Sequence, residues 1–538
     1  MTNPYRLSRS RRNILKMGTI GSIFLLCGGT LQKAAQSQQG AGLEPFKRLL
    51  PIPPTLKPVR SDATTDYYEI TLRKQFSEII PGTRTEIWGY NGIAPGPTIR
   101  QRGSINSKER RKSVVRFINK LGNDDRGKLI PTVVHLHGLS SPPQYDGYTM
   151  DLIPPESFKD YEYLNDHAAG TFWYHDHTMD ATARNIEAGL AGFYIVEDEL
   201  ERSLALPKGD YDIPLILQTK RFTTAGKIVF NNGTPKDLLG DISLVNGVPS
   251  PRLEVANCKY RFRLLNASAT RHYLLALSRS ADRLTEDEVL TIISSDAGFL
   301  SKPVSLISPQ QALPLAIAER YSAIIDFAKY PVGSSVYLHS ISQGNLASTV
   351  SESASSQAIM KFKVVRTVVE NSRIPDRLCS IEPLKITAKT PRRTFTFERG
   401  KNDRWLINQK EWDIDRIDAN PKPGDTEIWT LINPNKDTFH PVHLHVAEAQ
   451  LLDRNGRPPE LFERGWKDVF LLGSEEKLRI AVRFKTGSDR DLVGKFMMHC
   501  HQLIHEDRGM MSQFEIGRGG LDPISTAPAQ PISKIRPF

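Results

Sequence analysis

The sequence predicts an all-β protein built from three consecutive β-sandwich domains. Length is the first reason: 538 residues exceed what one hydrophobic core sustains, about 250–300 residues. Composition is the second, since 37 Gly and 36 Pro scatter turn signals along the chain. The third is a pair of strand-to-turn signals that occurs three times. "WGYNG" at Asn91, "SLVNG" at Asn246 and "RWLIN" at Asn408 each precede a second run, "VRFIN" ending at Asn119, "FRLLN" at Asn266 and "WTLIN" at Asn433. The paired asparagines lie 28, 20 and 25 residues apart. Successive copies follow at about 150 residues, a domain-sized period. Apolar, β-forming runs that stop at Asn suit a strand entering a turn. The domains expected are 42–200, 201–370 and 371–518, with a Pro-rich tail, 519–538, extended over the surface.

Residues 1–41 read as an export signal and linker. The order Ser10-Arg11-Arg12-x-x-Leu15-Lys16 resembles a twin-arginine signal, an address read by the Tat export machinery. The apolar run from Met17 to about Leu31 is too short for a stable membrane span, although an uncleaved anchor is the competing reading. Ala34, Ala35 and Ser37 offer a cleavage zone. The protein is therefore expected to be exported, to the periplasm or outside the cell. The first 37 residues hold six basic side chains (Arg6, Arg9, Arg11, Arg12, Lys16, Lys33) and no acidic one, so their removal lowers the formal charge from +11 to +5. That mild balance, with "SKERRK" (107–112) read as a solvated loop, gives no basic face for nucleic acid. Four cysteines, Cys27, Cys258, Cys379 and Cys500, are too few for a disulfide-stapled scaffold. A Cys258–Cys379 bridge is left open, because Cys500 has other company. A monomer is expected.

That company is histidine. Ten of the 13 histidines fall in four short stretches: "HLHG" (His135, His137), "WYHDH" (His175, His177), "HPVHLH" (His440, His443, His445) and "HCHQLIH" (His499, His501, His505). His167, His272 and His339 stand alone and read as ordinary polar residues. In a strand, residues i and i+2 share a face, so each His-x-His presents two imidazoles side by side. Two pairs lie in the first domain and two in the third, which places a shared site between them and leaves the middle domain as spacer or clamp. Eight imidazoles exceed one metal's needs and suit a cluster of three. Imidazole binds copper, zinc, iron or nickel. The cysteine decides among them. Cys500 faces away from His499 and His501, toward His440 and His505, with Met510 ten residues on. Two His, a Cys thiolate and a weak Met form a blue-copper electron-transfer set, whereas structural zinc favours Cys-rich or Cys₂His₂ ligation.

On these motifs, all four in order and complete over nearly the whole mature chain, the sequence resembles the multicopper oxidases. The resemblance implies three cupredoxin-like Greek-key domains and four coppers. It implies type 1 copper on His440, Cys500, His505 and Met510, and type 2 on His135 and His443. One type 3 copper would take His137, His175 and His501, the other His177, His445 and His499. "HCHQLIHEDRGMM", "SFKDYEY" (Ser157–Tyr163), "WYHDHTMDATARN" and "WKDVFLLG" (Trp466–Gly473) are most similar to the bilirubin oxidase and spore-coat laccase group. The implied activity is one-electron oxidation of an organic substrate, a bilirubin-like tetrapyrrole or a phenol, coupled to reduction of O₂ to water, with Cys500 as the electron relay. Met510, in place of Leu or Phe, implies a less oxidising type 1 copper. Asp146 in "YDGY" and Glu506 after His505 resemble the group's proton-relay acids, against plainer readings as an Asp-Gly turn and a solvated loop.

Other classes compete less well. An oxidase of Cu(I) or another metal ion commonly carries a Met-rich insert, and the nine methionines here form no Met-rich segment. A non-enzymatic cupredoxin-fold periplasmic protein would not need all ten histidines, Cys500 and Met510. A copper nitrite reductase would not need eight paired imidazoles. Two tryptophans in 402–412 are candidates for the entrance near type 1 copper, with core packing the plainer role for Trp405.

Overall fold

A computed structural model describes residues 43–105, 110–230, 240–343, 350–351, 354–401, 404–484 and 492–538; residues 1–41, expected from the sequence to be an export signal and linker, lie outside the described residues. The chain divides into two units, 1–43 and 44–538, and all that follows concerns the second. Among the described residues the strands form six sheets, and they partition by sequence into three pairs. A six-stranded and a four-stranded sheet use strands between 60 and 197, with Gln530–Pro531 from the tail as the sixth strand of the larger. A seven-stranded and a five-stranded sheet use 212–366. A five-stranded and a four-stranded sheet use 392–516. Each pair encloses its own buried apolar cluster, centred on residues such as Phe117, Phe262 and Trp429. The architecture is that of consecutive β-sandwiches. No helix among the described residues is long and apolar enough to cross a membrane.

The repeated asparagines explain the likeness of the three units. Each unit contains the same parallel pairing: Thr65–Ser77 with Lys112–Lys120, Asp212–Lys220 with Lys259–Asn266, and Arg392–Arg399 with Thr426–Asn433. Asn266 and Asn433 end the second strand of their pairs, Asn119 stands one residue before the end of its own, and all three are buried. Each accepts a backbone N–H two residues on, from Leu121, Ser268 and Asn435, at 3.0, 3.0 and 2.9 Å. Each also donates to two distant carbonyls, those of Ile130 and Ile153, Arg271 and Leu315, and Thr438 and Gly473. The earlier asparagines sit at turns in the left-handed region: Asn91 (φ 55°), Asn246 (φ 47°) and Asn408 (φ 51°). Asn tolerates that region better than other residues with a Cβ. Each accepts the N–H of the neighbouring strand, from Thr71, Ile216 and Thr396, at 2.9, 2.8 and 2.8 Å.

One local expectation is corrected, one open question is answered and one expectation is extended. In "SKERRK", 107–109 lie outside the described residues, but the rest is not a solvated loop. Arg111 pairs with Asp66 at 2.7 Å, Arg110 with Asp166 at 3.8 Å, and Lys112 opens a strand. Cys258 and Cys379 are free thiols rather than a bridge; Cys379 Sγ donates to the carbonyls of Phe299 and Leu300, both at 3.4 Å. The tail does more than lie extended. Gln530–Pro531 adds a short strand to Ser157–Tyr163 in the first unit, and Phe538 packs on the Arg116 guanidinium and the Tyr67 ring.

The third turn departs from the other two in one respect. Gly92 and Gly247 occupy its second left-handed position in the first two copies, but Gln409 (φ 61°) does so in the third. Gln409→Gly is expected to stabilise the protein by about 0.5–1 kcal/mol, read as a higher thermal unfolding midpoint. An unchanged or lower midpoint would show that the Gln409 side chain holds the turn.

Candidate metal centre

Four short segments carry the paired histidines to one place. His135 and His137 lie on Val134–His137, paired with Gly170–Asp176 so that His135 stands opposite His175. His443 lies on His440–Leu444, opposite His499 of Gly494–Cys500. The two strand pairs belong to different units, and their rings interleave. His137 stacks on His443 with centroids 3.6 Å apart, and His135 on His445 at 3.9 Å. All eight imidazoles are at most 1% exposed.

Hydrogen bonds, and for His177 a close carboxylate contact, mark which nitrogen of seven rings faces inward. His135 and His443 direct Nδ1 at the carbonyls of Asp146 and Asp468, at 2.5 and 2.9 Å. His175 Nδ1 reaches the Asp176 carbonyl at 2.8 Å, and His445 Nδ1 the Asp146 carboxyl at 2.6 Å. The Glu506 carboxylate lies between two rings, 3.3 Å from His177 Nδ1 and 3.0 Å from His499 Nδ1. His137 alone is turned round, with Nε2 3.0 Å from the Asp468 carboxylate. Seven rings thus place an oxygen on the outer nitrogen, the arrangement that orients metal-bound imidazoles. Their inner nitrogens then meet as facing lone pairs. His135 Nε2 and His443 Nε2 are 3.3 Å apart, as are His177 Nε2 and His445 Nε2; His137 Nδ1 and His175 Nε2 are 3.4 Å apart. The eighth ring, His501, has both nitrogens buried without a hydrogen-bond partner. Lone pairs at these distances repel, and cations between them relieve it, so the donor set fits the copper cluster expected from the sequence. Burial holds seven of these imidazoles, His135, His137, His175, His177, His443, His445 and His501, in their neutral, ligating form, with His177 lowered to about 4 and His501 to about 3.

On the other face of the same strand, Cys500 Sγ lies 3.4 Å from His440 Nδ1 and 3.6 Å from His505 Nδ1. Those two nitrogens are 3.3 Å apart. The sequence separates His440 and His505 by 65 residues; the strand and the short helix Leu503–Asp507 bring them together. Met510 is fully buried in the same cluster, and its carbonyl accepts the Cys500 N–H at 3.1 Å. Trp405 both packs in the core and touches the site: its ring stacks on His505 with centroids 3.5 Å apart. Burial pushes the Cys500 thiol up, so metal binding here must displace a proton.

The two acids singled out in the sequence both reach the imidazoles, and neither is an ordinary turn or loop acid. Burial pushes the Asp146 carboxyl well above the usual carboxylate range. Burial acts the same way on Glu506, but the His499 and His177 rings beside it outweigh that and hold it below. Sequence reasoning missed a third acid, Asp468, inside the quoted "WKDVFLLG". Its carboxylate takes both Arg320 nitrogens at 2.6 Å, besides contacting His137. Next to it Lys467 pairs with Asp296 at 3.0 Å and Glu319 at 2.9 Å. Arg320, Asp296 and Glu319 are the middle unit's contribution. It is a clamp, and no histidine spacing could have revealed it. Asp507 was also missed: it accepts the N–H groups of Thr182 and Ala183 at 2.9 and 3.1 Å, tying the helix Thr182–Ala188 to the His505 helix. Of the isolated histidines, His339 bonds Ser356 and Ser280, and His167 packs on Phe172.

Comparison with known proteins agrees with this geometry. Family models described as multicopper oxidase match residues 72–201 and 383–520. A laccase from Bacillus stratosphericus is 35% identical, covering 88% of this chain and 99% of its own. A bilirubin oxidase from Albifimbria verrucaria is 34% identical over 86% of this chain and 80% of its own. The crystal structure of a laccase from Pediococcus acidilactici superposes with a TM-score of 0.74 at 31% identity, over 88% of this chain and 96% of that one.

Two predictions follow from the charges. Asp468→Ala removes the bidentate partner of the buried Arg320, leaving it only the Asp296 carboxylate at 3.6 Å, and is expected to cost about 3 kcal/mol of stability, measurable as a large fall in unfolding midpoint. Copper affinity at the two sites should also respond differently to pH. The thiol must lose a proton throughout, so affinity at the Cys500 site should fall about tenfold per pH unit on acidification. Burial already keeps most of the paired imidazoles neutral, so affinity there should change less steeply over the same range. Chelator competition between pH 5 and 7 measures both slopes; equal slopes would contradict the assignment.

Proposed function

The chain belongs to the multicopper oxidase family, and from that premise we propose an exported oxidase that takes single electrons from a phenol or a bilirubin-like tetrapyrrole. Copper, when bound in such proteins, supplies one-electron oxidation of the reducing substrate and four-electron reduction of O₂ to water. The observation that carries the reading is the two-faced strand. Cys500 points to His440 and His505, while His499 and His501 point to the other six paired imidazoles.

The ligand assignment follows residue by residue. His440, Cys500, His505 and Met510 would hold type 1 copper. His135 and His443, with inner nitrogens 3.3 Å apart, would hold type 2. His137, His175 and His501 would hold one type 3 copper, and His177, His445 and His499 the other. The peptide His499–Cys500–His501 is the shortest covalent route between the two sites, which makes Cys500 the electron relay. Asp146 and Glu506 are assigned to proton delivery, because each touches cluster imidazoles by their outer nitrogens and burial and neighbours shift the two in opposite directions.

An organic substrate is supported by the absence of a Met-rich segment in the sequence. Export through the Tat machinery is supported by the Arg11-Arg12 signal, and domain boundaries at 42–200, 201–370 and 371–518 by the way strands partition among sheets.

The copper-loaded protein should have an intense visible thiolate-to-copper band and consume O₂ with bilirubin and with 2,6-dimethoxyphenol. Relative rates on the two assign the substrate class. Cys500→Ser should lose the band and all substrate oxidation; oxidation at the parent rate would refute the relay. Glu506→Gln should keep the band but slow O₂ consumption by about 10–100-fold.

A further inference from the structure

The sequence has no Met-rich segment, yet the fold assembles one. Met497 and Met511 are buried against Tyr148, with Met150, Met179, Trp412 and Ile524 packed around them. Met150 and Met179 are adjacent, since the Met179 N–H donates to the Thr149 carbonyl at 3.2 Å and the Thr149 hydroxyl lies 3.9 Å from Met179 Sδ. Four methionines thus come together from four separate stretches of chain. An ordinary apolar core would use Leu, Ile and Val; here Ile524 is the cluster's one branched aliphatic side chain.

Position gives the cluster its meaning. Strand alternation puts Met497 on the same face as His499 and His501, away from Cys500. Met511 stands opposite His499 in register. Met179 follows His177 by two residues, and Tyr148 follows Asp146 by two. The inner methionines are fully buried, while Met150, Met179 and Trp412 are half-buried. The cluster therefore runs from the surface toward the paired histidines and bypasses the Cys500 site. Thioether sulfur selects Cu(I) over harder cations.

We propose that Met150, Met179, Met497 and Met511 form a soft-cation site that receives a cuprous ion on its way to the histidine cluster. This rests on the copper-oxidase reading. The step is ligand exchange only: thioethers take the ion from its carrier and pass it to imidazole, with no change of oxidation state.

Silver(I) tests the site without electron transfer. The copper-loaded Cys379→Ser protein, which lacks the half-buried free thiol, should bind one silver ion. Adding Met150→Leu and Met179→Leu should weaken that binding by about tenfold or more, and Met360→Leu, in the middle unit, should not. When the metal-free protein is reloaded from a cuprous chelate, the double variant should fill its histidine site several-fold more slowly. Once loaded, it should oxidise 2,6-dimethoxyphenol at the parent rate, which separates failure here from failure of the oxidase reading. Absence of silver binding, equal binding or equal loading by the double variant, or the same loss in Met360→Leu would overturn the proposal.

Discussion

The carboxylate of Asp468 is where three domains meet. Arg320 of the middle domain grips both its oxygens, and one of those oxygens also faces His137 of the first. The Asp468 backbone carbonyl anchors His443 of the third. A cluster shared between two domains works only if their separation is held to a fraction of an ångström, and apolar packing between sandwiches is too forgiving to do that alone. A buried, bidentate ion pair is costly to desolvate but directional. Lys467, held by Asp296 and Glu319 of the middle domain, extends the same grip by one residue. The middle domain carries none of the paired histidines and still sets the distance between those that its neighbours carry.

The second constraint is the pleat of one strand. Side chains alternate, so His499 and His501 cannot share a site with the cysteine between them. That restriction separates a soft, thiolate-containing site from an all-imidazole one at the shortest covalent distance a polypeptide allows. Each site is then closed differently. The imidazole site is closed by oxygens on the outer nitrogens. The Cys500 site is closed by packing: Trp405 lies flat on His505, and the loop to Met510 is pinned by the Cys500 N–H.

Much of this was legible in the sequence, for a physical reason. Metal ligation on strands leaves a period of two, and a turn that needs the left-handed region leaves Asn or Gly, so both survive as short readable patterns. Asn119, Asn266 and Asn433 are legible three times over because each makes the same bonds near the end of an equivalent strand. Contacts made across domains leave no such trace. Arg320 and Asp468 are 148 residues apart, and nothing local distinguishes either from a surface charge. The methionine cluster was invisible for the same reason. Arg110 and Arg111 mislead in the opposite sense: a basic run looks solvated until Asp66 and Asp166 are brought to it from elsewhere.

Asp146 and Glu506, the two acids proposed above for proton delivery, are shifted in opposite directions within one buried environment. Asp146 has Oδ1 without a partner and Oδ2 on a single imidazole nitrogen, so desolvation dominates and the neutral acid is favoured. Glu506 lies between two imidazoles from different domains, 3.3 and 3.0 Å from their Nδ1 atoms, and those contacts favour its carboxylate against the same desolvation. Asp146 is therefore biased to hold a proton and Glu506 to stay ionised, beside rings that belong to a single cluster. The two acids differ in what they touch: Asp146 has one imidazole Nδ1 at 2.6 Å and a second at 3.9 Å, whereas Glu506 has two within 3.3 Å.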